Sequence, residues 1–336
     1  MRFTAEKKRK VELYILEKIL QKDPSLTSSV AEALDLNQAT VHSYVNDLLD
    51  RGIIKRVKRG AYELNDQEHW YHLERTDGSL VFDDLVYSEY VEKHLSSLPE
   101  NVKRIWNYAF SEMINNVIDH SESESADILV RQNYLSTTIM IRDYGVGIFG
   151  KIKEYFNLSS LDEAVSELFK GKITTDAKNH SGEGIFFTSK MVDTFYIVSD
   201  GKVFTNNVYD DSITYELGEG KKGTTVIMEL SNFSNKTARE VFDLYADVDG
   251  GFVKTVLPIK NIFDTDPISR SQAKRLCNRL ESYKEVVFDF NGVQWMGQGF
   301  AHQIFVVFAE QNKGIKLTPI NMNEDVERMY KHVFQG

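Results

Sequence analysis

The chain has 336 residues, 42% of them hydrophobic and 27% charged, and this length predicts two or three globular domains. No apolar run approaches the roughly 18 to 20 residues that span a bilayer, and the charged start MRFTAEKKRK lacks the apolar region of a signal peptide. Cys277 is the single cysteine, which excludes an intramolecular disulfide framework and a thiolate-rich metal site. We therefore expect a cytoplasmic protein that makes no use of a membrane.

Charge is distributed unevenly along the chain. The net charge is −10, yet residues 1–65 carry twelve Lys or Arg against nine Asp or Glu. Because basic surfaces attract phosphate backbones, a nucleic-acid contact is expected in this segment rather than in the acidic remainder.

The first 65 residues follow the pattern of three helices and a hairpin. Apolar residues at helical spacing predict helices over 6–21, 27–34 and 38–49. Thr27 is expected to cap the second helix, because its hydroxyl can accept a hydrogen bond from an orphan backbone N–H. The segment IIKRVKRGAYEL then predicts a two-stranded wing that turns at Gly60.

This order resembles the winged helix-turn-helix family over residues 1–65, most clearly in TSSVAEALDLNQATVHSYVNDLLDRGIIKRV. The resemblance implies double-stranded DNA as a partner. The third helix presents polar side chains that suit base edges in a major groove, namely Gln38, Thr40, His42, Ser43 and Asn46. The wing offers basic side chains for phosphate contacts, namely Arg51, Lys55, Arg56, Lys58 and Arg59. The alternative is a protein-interaction module with a solvated basic loop.

Residues 66–99 are predicted as a connector with some helix, and a polar helical stripe follows them. Along IWNYAFSEMINNVIDH, the spacing places Glu112, Asn116, Asp119 and His120 on one face. An acid and an amide one turn apart suit a magnesium–phosphate site, since the amide oxygen can coordinate the ion and the carboxylate can orient water. The alternative is an ordinary polar stripe on an exposed helix.

Glycine-containing segments extend this pattern. A β-hairpin is predicted over 126–131 and 137–142, and its second strand delivers Asp143 directly before Gly145 and Gly147. A carboxylate at this place can accept a hydrogen bond from an adenine amino group, and glycines let the backbone approach a ligand closely.

Two later segments suit the phosphates and the base of a nucleotide. Gly182 and Gly184 precede an apolar helix, whose N-terminal N–H groups and dipole favour phosphate. Lys178 and His180 stand just before them, either to meet phosphates or as solvated charges. Thr225 begins a buried strand in KKGTTVIMEL, where its hydroxyl can help to hold the base.

In this order the pieces resemble the GHKL ATPase superfamily, which includes gyrase, histidine kinases, the MutL repair proteins and anti-sigma-factor kinases. The resemblance assigns a GHKL ATP-binding domain to residues 100–235, and SEMINNVIDH is most similar to the anti-sigma-factor kinases. It implies an α/β sandwich that binds ATP and Mg²⁺, with Glu112 as the catalytic base, Asn116 as the magnesium ligand and Asp143 as the adenine anchor. Residues 150–181 would then form the lid over the nucleotide.

Residues 250–336 show alternating strand and helix patterns, which predict a small α/β domain. This tail resembles the STAS-like family through VVFDFNGVQWMGQGF. STAS domains in sigma-factor regulation often carry a phosphorylatable serine at the turn after this strand, but Met296, Gly297, Gln298 and Gly299 occupy it here. We therefore expect the turn to contact another surface, such as that of the ATPase domain, and the tail to bind a protein partner.

The predicted fold class is thus multidomain α/β, with a winged helix head, a GHKL sandwich and a STAS-like tail. The leading functional hypothesis is an ATP-responsive regulator that binds DNA and slowly hydrolyses ATP. An anti-sigma-type serine kinase acting on a partner is the second hypothesis. A non-DNA-binding interaction protein with ATP as a structural ligand is the third, and the sequence leaves a homodimer open.

Overall fold

The computed structural model describes residues 5–173, 182–207, 222–247, 251–263 and 265–334. Within these ranges the chain forms a helical head with a hairpin, a central unit on a six-stranded sheet, and a tail on a three-stranded sheet. None of the helices described is both long enough and apolar enough to cross a bilayer.

The head has its own hydrophobic core. It consists of α1 (Ala5–Leu20), α2 (Leu26–Ala33), α3 (Gln38–Asp50) and a hairpin of β1 (Ile54–Lys58) with β2 (Ala61–Leu64). Apolar residues at helical spacing meet in the centre, including the fully buried Leu16, Val41 and Leu48. The three helices and the wing therefore occur where the sequence predicts them.

The helix starts differ in one respect from the sequence prediction. Thr27 lies inside α2 and does not cap it, because Ser25 occupies the N-cap position and its side chain makes no capping hydrogen bond to a described residue. At α3 the cap is Asn37, whose side-chain oxygen accepts a hydrogen bond from the Thr40 backbone N–H at 2.7 Å.

The central unit is built on an antiparallel sheet in the order β3-β4-β5-β8-β6-β7. Its strands are β3 (Gln67–Glu74), β4 (Ser125–Gln132), β5 (Ser136–Asp143), β6 (Thr194–Ser199), β7 (Lys202–Thr205) and β8 (Thr224–Ser231). The predicted hairpin is β4 with β5, and β5 pairs on its other side with β8. Because β5 is central, the loop that follows Asp143 leaves the sheet near its middle.

The segment predicted as a connector, residues 66–99, belongs to the central unit. Gln67–Glu74 pairs with β4 over its full length, and the helical stretch 83–95 buries Val86, Val91 and Leu95 in the main core. A linker would leave such side chains in water. The central unit therefore begins directly after the wing and includes this whole segment.

Helices cover the apolar face of this sheet. They are α4 (Asp83–Val86), a π-helical turn (Tyr87–Val91), α5 (Glu92–Leu95), α6 (Glu100–His120), α7 (Ile148–Tyr155), α8 (Leu161–Lys170), α9 (Gly184–Met191) and α10 (Ala238–Tyr245). The longest, α6, buries Trp106, Phe110 and Met113. Its polar stripe faces a cavity.

The tail has a parallel sheet in the order β11-β10-β9. Its elements are β9 (Lys254–Pro258), α11 (Ile259–Ile262), α12 (Arg270–Cys277), a 3-10 helix (Leu280–Ser282), β10 (Glu285–Asp289), α13 (Gln298–His302), a π-helical segment (Gln303–Phe308), α14 (Ala309–Gln311), β11 (Lys316–Ile320) and α15 (Glu324–His332). The alternation of strands and helices that the sequence predicts for this segment is therefore present.

The turn expected to contact the ATPase domain packs within the tail. The Gly297 backbone N–H donates to the Pro267 carbonyl at 2.9 Å, and a Cβ on Gly297 would lie 2.4 Å from the Ile268 carbonyl oxygen. A glycine is therefore required at this close backbone approach. A serine side chain is therefore excluded at position 297 of this turn.

The tail and the central unit share one hydrophobic core. The Phe252 ring lies 4.6 Å from Phe186 of α9 and 5.4 Å from Tyr283, between ring centroids. Beside this aromatic cluster, the buried Glu167 and Lys170 of α8 form an ion pair of 2.7 Å, and Arg279 of the tail pairs with the same carboxylate.

Lys170 fixes this interface through its ammonium group. It donates to the tail carbonyls of Arg275 at 3.0 Å and Asn278 at 2.9 Å, while the Tyr283 hydroxyl donates to the Lys170 carbonyl. Burial lowers the pKa of Lys170, although Glu167 opposes this shift. The three acceptors around this buried ammonium fix the position of the tail against α8. The Glu167 carboxylate stabilises the charged form of Lys170.

Glu167→Gln should destabilise the protein by about 3–5 kcal/mol, because it leaves the buried Lys170 charge without its carboxylate. Denaturant unfolding followed by tyrosine and tryptophan fluorescence measures this loss. Glu327→Gln is the control, since its ion pair with Lys331 is exposed and is expected to contribute only about 0.3–0.5 kcal/mol. Equal losses for the two variants would contradict the assignment.

Candidate functional site

A cavity of about 290 Å³ lies between α6, the end of β5, α7 and the start of α9. Six of the residues predicted to bind nucleotide line it: Glu112, Asn116, Asp143, Gly147, Gly182 and Gly184. They come from three separate segments of the chain. The structure therefore brings together most of the described residues that the sequence singles out.

Asp143 forms the polar floor of this cavity. Its carboxylate is buried, and its Oδ1 accepts hydrogen bonds from the backbone N–H groups of Gly145 at 2.9 Å and Thr224 at 3.2 Å. Burial raises the pKa of Asp143, although both backbone donors oppose this shift by stabilising the charged form. A carboxylate has about four acceptor positions, so lone pairs remain for a ligand that enters the cavity.

The glycines after Asp143 have two different roles. Gly145 does not line the cavity, and a Cβ there would lie 1.8 Å from the Ser121 carbonyl oxygen, so it permits the loop to pack on the end of α6. Gly147 does line it, with a φ of +82° that favours glycine. The ligand-approach role predicted for both glycines thus fits the position of Gly147 only.

The polar stripe of α6 supplies one wall. Glu112, Asn116 and His120 line the cavity together with Asn115, whereas the exposed Asp119 does not. A Cβ on Gly184 would lie 1.9 Å from Glu112 Oε2, so the carboxylate lies against the start of α9. The acid and the amide one turn apart therefore do face the same enclosed space.

The start of α9 forms the opposite wall. Gly182 and Gly184 both line the cavity, and Gly182 has a φ of +72°. Lys178 and His180, which are predicted beside these glycines, lie outside the described residues.

Thr224, and not the predicted Thr225, lines the cavity. The Thr224 hydroxyl accepts a hydrogen bond from the Ile148 backbone N–H at 3.1 Å, and its own N–H binds Asp143. Thr225 is the next residue of β8, so its side chain points to the other face of the sheet, opposite Arg142. The sequence identifies the strand that lines the cavity. Side chains of a strand alternate between its two faces, so only one of the two adjacent threonines can face the cavity, and this is Thr224.

Lys151 of α7 lines the cavity and is absent from the sequence prediction. Its ammonium donates to the His120 carbonyl at 2.7 Å and to Glu122 Oε1 at 3.0 Å, which places a cation at the end of α6. The sequence signal is its position four residues after Gly147, one helical turn into α7.

The predicted DNA-reading face lies on α3. Gln38, His42, Ser43 and Asn46 are exposed. Thr40 is half-buried, and its hydroxyl donates to the Asn37 side chain at 2.8 Å, so it belongs to the helix cap rather than to an open face.

The wing exposes Lys55, Arg56, Lys58 and Arg59. Arg51 is predicted to act with them, but it pairs with the buried Glu12 and with Asp47, both at 2.9 Å. These two carboxylates raise the pKa of Arg51 further through hydrogen bonds to its guanidinium. Arg51 therefore joins α1 to α3 inside the head, and the basic surface of the wing consists of the other four side chains.

Comparison with known families finds matches for two segments, one near each end of the chain. Residues 13–55 match the model of a winged helix-turn-helix DNA-binding family. Residues 272–327 match a STAS-like domain of unknown function. No curated protein matches the chain. The protein is thus a multidomain α/β protein with a winged helix head and a STAS-like tail. The match of the head to a DNA-binding family supports a role as a DNA-binding regulator.

Proposed function

We propose that this protein is an ATP-responsive DNA-binding regulator whose central cavity binds Mg²⁺–ATP in the manner of the GHKL superfamily. The observation that supports it most is the convergence of Asp143, of Glu112 with Asn116, and of the α9 N-terminus on one cavity. These groups lie far apart in sequence. Their common position matches the three chemical parts of the ligand, which are a base, a metal ion and phosphates.

The floor of the cavity suits an adenine ring. The buried carboxylate of Asp143 can accept a hydrogen bond from the exocyclic amino group, and the apolar Ile197 and Val226 stand beside it on the same floor. A charge-assisted hydrogen bond in such an environment is stronger than one exposed to water. This end of the cavity would therefore select a base that carries an amino donor.

The walls suit a magnesium triphosphate. The Asn116 side-chain oxygen is a hard ligand of the kind that Mg²⁺ accepts, and Mg²⁺ typically takes its remaining ligands from phosphates and waters. The backbone at Gly182 and Gly184 opens the N-terminus of α9 towards phosphate. Lys151 adds a positive charge to a cavity that carries the carboxylates of Glu112 and Asp143.

Glu112 is the candidate base for hydrolysis. Its carboxylate lies between the α6 wall and the start of α9, where a water attacking the terminal phosphate would need to be oriented. The same carboxylate would serve a kinase, which would transfer the phosphate to a partner serine instead.

Asp143→Asn should weaken ATP binding roughly tenfold to a hundredfold, because losing a charged hydrogen bond costs about 1.5–3 kcal/mol. Titration calorimetry with Mg²⁺–ATP measures this change. Glu154→Gln is the control, since Glu154 is an exposed acid on α7. Unchanged affinity in Asp143→Asn would remove the adenine assignment.

Glu112→Gln should abolish ATP turnover while leaving binding largely intact, whereas Asn116→Ala should weaken magnesium-dependent binding. Asp119→Asn is the matched control on the same helix, because Asp119 is exposed and does not line the cavity. Phosphate release from radiolabelled ATP gives the rate, and label on a partner protein would identify a kinase. Parental turnover in both cavity variants would refute these roles.

The head would bind double-stranded DNA through α3 and the wing. Replacing Lys55, Arg56, Lys58 and Arg59 by alanine should lower the log–log salt slope of binding by up to about 0.9 for each DNA phosphate that these side chains neutralise. Fluorescence anisotropy with duplex DNA at several salt concentrations measures the slope. Lys313→Ala, an exposed lysine of the tail, should leave it unchanged. A parent protein with no DNA affinity at low salt would favour the interaction-module hypothesis instead.

A further inference from the structure

The outer edge of β3 is an open edge of the central sheet. The Arg75 backbone N–H donates to the Glu124 carbonyl, so the odd-numbered residues of β3 bond to β4 and the even-numbered residues face outward. At one end Glu74 is bonded by the turn that follows, through Ser79 and Leu80. For Glu68, Trp70 and His72 the described residues supply no backbone partner on the outward side.

This edge lacks several of the features that usually protect an exposed strand, and its charges are those of Glu68 and Glu74. It runs for eight residues, QEHWYHLE, without lysine, proline or a shift of register, and Trp70 is 58% exposed. At the opposite edge of the sheet, by contrast, the Asn261 side chain from the tail donates to the carbonyls of Thr205 and Asn207. A long, regular and partly apolar edge of this kind is a template for a further strand.

We propose that β3 pairs with β3 of a second copy of this chain, antiparallel about a two-fold axis through Trp70. In this register Trp70 lies opposite Trp70 of the second copy, and Glu68 lies opposite His72 in both directions. Each hydrogen-bonded pair contributes two inter-strand bonds, or about six in all. The two six-stranded sheets then join into one continuous sheet.

The side chains of Glu68, Trp70 and His72 lie on the sheet face opposite the helices, which we call the outer face. The charges on this face support the proposed register. Sheet pairing already places Arg142 opposite Asp127, Asp127 opposite His72, and Glu68 opposite Arg131. Pairing His72 with Glu68 of the second copy therefore produces one row of alternating charge across the axis. The row runs through Arg142, Asp127 and His72 of one copy and then through Glu68 and Arg131 of the second copy. The hydrogen bond that His72 donates to the Asp127 carboxylate raises the pKa of His72, which favours its positive form. Shifting the register by two residues would instead place Glu68 opposite either Glu74 or Trp70, so the charged pair between Glu68 and His72 would be lost.

A second row of cross-strand partners on the outer face, next to the charged row, is apolar. Met140, Leu129 and Trp70 are consecutive partners across β5, β4 and β3. Two-fold pairing makes this row continuous through two tryptophans, and it removes from water the most exposed of its side chains. Both rows thus complement themselves under one symmetry operation, as an isologous contact requires.

Sedimentation velocity of the full chain at micromolar concentration tests the interface. The parent should sediment as a dimer, and Trp70→Lys should sediment as a monomer, because a lysine at the axis meets its own copy. Trp295→Lys is the matched control, since Trp295 is also exposed, at 43%, but lies in the tail. A monomeric parent, or a Trp70→Lys variant that remains a dimer, would overturn the proposal.

A cross-link locates the axis. The Cα atoms of a hydrogen-bonded antiparallel pair lie about 5.5 Å apart, within the usual disulfide range, so Trp70→Cys should form a covalent dimer on mild oxidation. Trp295→Cys should not, and the native Cys277 is buried. Cross-linking at 295 but not at 70 would place the contact elsewhere and refute this register. Neither experiment depends on ATP or DNA, so the interface and the proposed function fail separately.

Discussion

The buried carboxylate of Asp143 constrains the middle of the molecule. A charge in this position needs donors, and it takes them from Gly145, just beyond β5, and from Thr224 at the start of β8. Those two hydrogen bonds hold the ends of neighbouring strands together. A Cβ on Gly223 would lie 2.1 Å from the Asp143 carbonyl, so the backbone itself closes around the group. The floor of the cavity, and therefore everything that a ligand would contact there, depends on this arrangement.

Features encoded within one turn or one helix could be predicted from the sequence. The spacing of Glu112 and Asn116 fixes them on one face of α6, and glycines beside Asp143 and before α9 indicate close backbone approach. The head could be predicted for the same reason, because its helices bury apolar residues at helical spacing and its wing carries a clear turn. Such local patterns can be recognised in the sequence even when the residues that pack against them are unknown.

Features that depend on distant partners could not be predicted. Burial alternates along β3, but the large aromatic Trp70 lies on the exposed face, so the sequence shows no clear alternation of apolar and polar residues and resembles a linker. Thr224 and Thr225 are adjacent in sequence, and only the pairing of β8 with β5 decides which faces the cavity. Lys170 looks like one more helical lysine until the tail carbonyls around it are known. In each case the decisive contact comes from a segment that is distant along the chain or from the other side of a sheet.

The aromatic contact between α9 and the tail has a consequence for biosynthesis. Phe186 belongs to the central unit, but the rings of Phe252 and, through it, Tyr283 complete its surroundings. A nascent chain emerges from its N-terminus onward and folds domain by domain, so the helix that opens the cavity is made before the side chains that cover it. The head can complete its separate core early in translation. The aromatic surroundings of α9 are therefore complete only after the first half of the tail has emerged.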